Sequence, residues 1–184
     1  MNEPPGSPGF QKLGEEDLVA SKVFRVVRST FRGPDGDEFE RTVIHHPGAV
    51  AVVPLHDDGT VTMVRQYRVA LEAELLELPA GTRDVDGEDE RLTAERELAE
   101  EAGLAATSVE HLVTFYNAPG ISDETISLFL ARHLSEVAHD RQSVEEHHMT
   151  IERLPLDLAL QMVDDGRITD AKTIIGLTLA ARHT

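Results

Sequence analysis

Cysteine is absent from these 184 residues, so neither disulfides nor thiolate chemistry is open to the chain. Tryptophan is absent too, and two Tyr and six Phe leave few aromatic faces against which a planar ligand could stack. Positive charge is scarce: 17 Lys and Arg stand against 34 Asp and Glu, a net charge of −17. That balance argues against a nucleic-acid partner and against an anionic membrane surface. No apolar run approaches the roughly 18 residues of a membrane span, and the N-terminus lacks the basic start and apolar middle of a signal peptide. A cytoplasmic protein is expected. No internal repeat is present.

What remains is 40% hydrophobic and of a length that suits one domain with a sizeable core. Residues 1–16, with Pro4, Pro5 and Pro8, read as a disordered tail. Leu18 to Phe31 and Phe39 to Ile44 read as strands joined by the Pro34-Asp35-Gly36 turn, an antiparallel hairpin within residues 17–46. In the remaining domain, residues 47–184, Gly48 to Leu55 is a strongly apolar strand. Asp57-Asp58-Gly59 is a turn, and Val61 to Tyr67 its expected antiparallel partner. Short strands are expected at Glu72 to Leu78, Val109 to Phe115, Ser127 to Ala131 and Thr150 to Leu154. Helices are expected at Glu90 to Ala102, Leu156 to Asp164 and Asp170 to His183, the last capped by Thr169 or Asp170. Strands with helices on both sides give an α/β class.

The helix from Glu90 to Ala102 organises the chain. It contains no Gly or Pro, and Gly103 follows where a left-handed cap is cheapest. At about 100° per residue, Glu97, Glu100 and Glu101 fall together, while Ala94, Leu98, Ala99 and Ala102 turn toward a core. By itself the acidic side is either a solvated face or a cation site. Carboxylates packed so closely repel one another unless a cation sits among them, and hard oxygen donors suit Mg²⁺ or Mn²⁺. The net charge adds to this, because a phosphate ligand is repelled unless metal ions invert the field locally.

Glu88, seven residues, then Arg96-Glu97-Leu98-x-Glu100-Glu101-x-Gly103-Leu104 resembles the motif of the Nudix hydrolases. That family cleaves nucleoside diphosphates linked to another moiety and uses divalent metal. Six residues separate Gly81 from Glu88, one more than the general pattern, in a polar loop where insertion is tolerated. The resemblance covers roughly residues 17 to 180 and implies a Nudix α/β/α sandwich with a mixed sheet, preceded by the hairpin. Pro119, 15 residues past Leu104, together with Gln66-Tyr67-Arg68 and Glu77-Leu78-Pro79-Ala80-Gly81, is similar to the ADP-ribose pyrophosphatase subgroup.

The resemblance implies these roles. Glu97 and Glu101 are metal ligands; Glu100 shares their face and either bridges metals or acts through water; the carbonyl of Ala80 is a further ligand. Arg96 and Glu88 form a supporting ion pair. The missing base is Glu145 or Glu146, with Glu146 favoured, in the polar loop before the last strand; His147 and His148 read as ordinary loop residues. Arg68 contacts the diphosphate, since guanidinium offers paired donors to phosphate oxygens. Pro119 and Glu77 complete the substrate site. Phe24 or Arg25 are weak candidates for adenine, Phe24 reading better as core. The expected reaction is Mg²⁺-dependent hydrolysis of ADP-ribose to AMP and ribose 5-phosphate. A homodimer built on the N-terminal hairpin is implied. The alternatives are another nucleoside diphosphate sugar or a dinucleotide, or a non-catalytic ligand sensor of the same fold.

Overall fold

Tight turn chemistry shapes the N-terminal region. The computed structural model describes residues 9–85, 87–138 and 148–183. There the strands β1 (Gln11–Ala20), β2 (Arg25–Arg32) and β3 (Glu38–His45) form an antiparallel sheet in that order. The turn between β2 and β3 is closed by Gly33 N–H to the Asp37 carbonyl at 2.8 Å, with Gly36 at φ 90°. The expected hairpin is therefore β2–β3.

The boundary of the tail needs correcting, because a third strand begins at Gln11, inside residues assigned to it. Every residue of β1 is exposed, so no apolar alternation marks it. Its ladder to β2 and the pair from Arg25 to Asp17 at 2.7 Å hold it instead. Phe24 is also corrected: it is 40% exposed and not a core residue.

The chain divides into two compact units, Met1–Gly48 with Thr114–Thr125, and Ala49–Val113 with Ile126–Thr184. In the first, the 114–125 segment is tied to β3 by Ile44 N–H to the Ile121 carbonyl at 2.8 Å and Asp123 N–H to the Ile44 carbonyl at 3.2 Å.

The second unit is built on β4 (Ala49–Pro54), whose run Ala-Val-Ala-Val-Val-Pro is buried from its second residue on. Such a strand has no face to offer water and belongs inside a covered sheet. It pairs antiparallel with β7 (Ala80–Thr82) and parallel with β9 (Thr125–Glu136), and β8 (Leu104–Tyr116) lies beyond β9. The mixed sheet expected from sequence is thus present.

The partner expected for β4 is corrected. β5 (Thr60–Arg68) pairs with β6 (Ala73–Glu77) and β10 (Thr150–Pro155) in a separate antiparallel sheet, and is bridged to the residue just after β4 by the isolated Leu55–Val61 pair. A tight turn dictates that the chain reverses, but not which sheet the second strand joins.

Side-chain alternation on β4 and β9 places helices on both faces. Val50, Val52, Phe129 and Ala131 pack with Ala94, Leu98 and Ala102 of α1 (Glu90–Ala102). Val53 and Leu128 point the other way, toward α3 (Ala171–Ala180). A Cβ on Gly176 would stand 2.5 Å from Leu78 Cδ1 and 3.1 Å from Val53 Cγ2, so only glycine lets α3 lie this close. The α/β/α layering follows. α2 (Leu156–Asp164) precedes α3, which ends in a 3₁₀ turn at Ala181–His183. No helix among the described residues is long and apolar enough to cross a membrane.

Candidate active site

Both ends of α1 are held. The Asp89 side chain accepts from Arg91 N–H at 2.9 Å, and Gly103 takes the left-handed conformation, φ 64°, to close the C-terminus. Between them the glutamates depart from a solvated acidic face. Glu97 and Glu101 are buried, at 8% and 6% exposure, on the same side as Thr93, Ala94 and Leu98. Burying carboxylates is expensive without partners.

The partners come from β7 and from Arg96. Glu101 Oε2 accepts the backbone N–H of Ala80 at 2.8 Å. Glu97 occupies the slot left by a missing side chain: a Cβ on Gly81 would fall 2.0 Å from its Cδ. The guanidinium of Arg96 bridges Glu97 Oε1 at 2.7 Å and Glu100 Oε2 at 3.1 Å through one nitrogen. Its other terminal nitrogen lies 3.5 Å from Glu88 Oε2, which also accepts from Thr93 Oγ1 at 2.8 Å. The Arg96–Glu88 pair is therefore formed despite the extra loop residue, although the closer carboxylates of Arg96 are Glu97 and Glu100.

Burial pushes the Glu101 carboxyl up to about 8, aided by the charge of Glu97; the Ala80 N–H and the cations of Arg68 and Lys172 pull the other way. Among the described residues no group of three or more His, Cys, Asp or Glu side chains is already gathered closely enough to hold a metal ion. The donor set still fits a hard divalent ion. It consists of carboxylate oxygens, a cation already bridges those of Glu97 and Glu100, and that of Glu101 is buried beside them.

Beside Glu101 lies a second charged group. Glu77, at 1% exposure, receives Arg68 in a two-pronged pair, Nε to Oε1 at 2.7 Å and Nη2 to Oε2 at 2.6 Å. Lys172 Nζ also bonds Glu77 Oε2 and lies 3.0 Å from Asp170 Oδ2. Burial raises the Glu77 carboxyl, but these two cations outweigh it and hold it below the usual range.

The second unit thus gathers Ala80, Glu88, Arg96, Glu97, Glu100, Glu101, Arg68 and Glu77. Pro119 is exposed in the first unit, where it helps line a recess of about 620 Å³ with Phe31, Phe39 and Arg41. Arg25, a weak candidate for adenine, is paired with Glu15 and Asp17. Glu145, Glu146 and His147 lie outside the described residues, and His148 is exposed. Sequence reasoning missed Lys172. The signal was there: it is the one charge in the apolar helix Ala-Lys-Thr-Ile-Ile-Gly-Leu-Thr-Leu-Ala.

A helix carrying inward glutamates, clasped to a glycine strand under a mixed sheet, defines a class, and the family model for the NUDIX domain matches residues 45–174. The chain belongs to the NUDIX domain family and is a Nudix hydrolase, an enzyme class whose members generally depend on divalent metal. Among its relatives, an ADP-ribose pyrophosphatase of Mycobacterium tuberculosis (strain ATCC 25618 / H37Rv) is 40% identical over 168 residues, 91% of this chain and 81% of that protein. A methanol dehydrogenase activator of Bacillus methanolicus is 37% identical over 162 residues, covering 88% and 87% respectively. A solved ADP compounds hydrolase superposes with a TM-score of 0.83 at 22% identity, over 98% of this chain and 96% of that one, a likeness of fold.

Proposed function

We propose that the protein hydrolyses the diphosphate bond of ADP-ribose, giving AMP and ribose 5-phosphate, with Mg²⁺ as the preferred ion and Mn²⁺ as a substitute. One observation carries this reading: Glu101 and Glu97 of one helical turn press against Ala80 and Gly81, with Glu100 joined to Glu97 through Arg96, beside an arginine held by a buried carboxylate. The relative named an ADP-ribose pyrophosphatase supports the substrate.

Glu97, Glu100, Glu101 and the Ala80 carbonyl would hold the divalent ions, which supply charge neutralisation on the diphosphate and acidify bound water. Arg96, pinned by Glu88, keeps Glu97 and Glu100 together. Arg68 offers the guanidinium edge not used by Glu77 to a phosphate oxygen. Glu77 acts through Arg68 and does not touch substrate, since both its oxygens are taken. Glu146, or Glu145 beside it, accepts the proton of the attacking water.

The working form is a cytoplasmic homodimer. Phe10, Leu13, Leu18, Val19, Val23 and Phe24 are exposed in and around the N-terminal sheet, an apolar surface suited to a second copy. Residues 10–46, a longer segment than the expected 17–46, supply this surface and residues 47–184 the hydrolase domain.

The test is a panel of nucleoside diphosphate sugars and dinucleotides, with and without Mg²⁺, read as phosphate monoesters released. ADP-ribose should give the highest kcat/KM, and only with the ion. Glu101→Gln should cut turnover by orders of magnitude with its circular dichroism unchanged; equal turnover by variant and parent would refute the metal assignment.

A further inference from the structure

Lys172 sits on the first turn of α3, distant in sequence from every motif residue, yet its side chain ends on the carboxylate that holds Arg68. We propose that Lys172 is a positioning residue for Arg68, acting through Glu77; this rests on the proposed diphosphatase reading, in which Arg68 meets the substrate.

The geometry is a relay of four charges. Asp170 Oδ2 caps α3, accepting Thr173 N–H at 3.0 Å and Thr173 Oγ1–H at 2.6 Å, and the same oxygen lies 3.0 Å from Lys172 Nζ. Lys172 passes to Glu77 Oε2, and Glu77 presents both oxygens to Arg68. Along this path the side chains are 18% exposed at Asp170, 9% at Lys172, 1% at Glu77 and 40% at Arg68. The middle of the relay is dry and its Arg68 end reaches solvent. The two bonds from Arg68 use Nε and Nη2, so Nη1 stands outside the pair.

Two features separate this from a buried ion pair kept for stability. First, Arg68 already engages both oxygens of Glu77, so the second cation, on Oε2, fixes the orientation of that carboxylate as well as adding to its charge pairing. With Lys172 on one side of Oε2, the carboxylate plane cannot swing and the guanidinium plane is set with it. Second, the same helical turn fixes the backbone leading to Ala80, because Thr173 Oγ1 accepts Leu78 N–H at 2.9 Å. The first turn of α3 thus places both Arg68 and the strand whose Ala80 N–H meets Glu101. Buried ion pairs are often no better for stability than an apolar pair of similar volume, which leaves placement as the work this lysine does.

The experiment is a double-mutant cycle of Lys172→Met and Arg68→Ala, with Lys172→Arg as the conservative variant. Parent protein is first assayed for ADP-ribose hydrolysis with Mg²⁺; absence of turnover there would overturn the diphosphatase reading and leave the lysine to the second readout. In an active parent, Lys172→Met should lower kcat/KM roughly 10- to 100-fold. Lys172→Arg should restore most of that, and Lys172→Met should have little further effect once Arg68 is alanine. Equal losses with and without Arg68, or no loss in a folded Lys172→Met protein, would overturn the proposal. The second readout needs no activity: the ¹⁵N Nε–H resonance of Arg68 in metal-free protein, assigned by its disappearance in Arg68→Ala. It should be sharp in the parent and broadened by solvent exchange in Lys172→Met; an unchanged signal would count against the relay. If Lys172→Met does not fold, Lys172→Gln takes its place in both measurements.

Discussion

Gly81 shows how one missing side chain can separate stability from function. Its Cβ would stand 2.0 Å from Glu97 Cδ and 2.2 Å from Oε1, so any side chain there must displace the Glu97 carboxylate. The atoms that yield are the end of a flexible chain, and the contacts disturbed include the pair of Glu97, 10% exposed, with Arg96, 30% exposed. Partly exposed pairs contribute about 1 kcal/mol or less. Gly81→Ala is therefore expected to melt within a few degrees of the parent, while metal affinity or kcat/KM falls about 10- to 100-fold. Isothermal titration with Mg²⁺ beside thermal denaturation checks both halves. A comparable loss of melting temperature and activity would mean that the glycine serves the backbone of β7 instead.

At the scale of elements, α3 is decided by closeness to the sheet. Gly176 lies in the middle of a helix, where alanine is normally better by about 1 kcal/mol. Here the added Cβ meets Leu78 Cδ1 at 2.5 Å and Val53 Cγ2 at 3.1 Å, and both residues are fully buried, with nowhere to retreat. Overpacking of this kind costs about 1–3 kcal/mol and outweighs the gain in propensity. Gly176→Ala should be destabilising by about 1–2 kcal/mol in urea unfolding; a stabilised variant would show that α3 slides away from β4 easily. The same element explains what was legible beforehand. The bounds of α1 and α2 and the Asp170 cap could be read locally, from glycine, spacing and cap chemistry. Lys172 could not be given a role locally, because its partner Glu77 is 95 residues away in the chain.

At the scale of the whole chain, segments distant in sequence are clasped by charge within the first compact unit. His45 Nδ1 meets Asp123 Oδ2 at 2.5 Å, and its other nitrogen lies 3.2 Å from Glu15 Oε2 on β1. Hydrogen bonding to Asp123 raises the His45 imidazole above its usual value against the opposing effect of burial, with Glu15 assisting. Asp123 is held below its usual value, since His45 and the His46 N–H outweigh burial. A raised histidine contributes stability that is complete below about 6.5, its unfolded value, and lost as pH rises through the folded value. A lowered aspartate contributes above about 3.9 and is lost as pH falls through its folded value. The clasp is thus strongest between roughly pH 4 and 6.5. Thermal melts of His45→Gln against the parent should show the largest gap near pH 6 and a shrinking gap toward pH 9. A gap independent of pH would mean that His45 acts by shape alone.

The carboxylate set, the helix that bears it and the apolar run of β4 were determined by the sequence alone, because each rests on neighbours within a few residues: spacings of three and four on a helix, a cap, a run of valines. Tertiary structure alone decided the rest. It turned Glu97 and Glu101 inward against Ala80 and Gly81, sent β5 to a different sheet from β4, made a strand of the fully exposed Gln11–Ala20, and brought Lys172 to Glu77. Apart from the Gln11–Ala20 hairpin, these are contacts between residues well separated in the chain, settled by which surfaces exclude water and which charges find partners once the layers close. No local pattern encodes them.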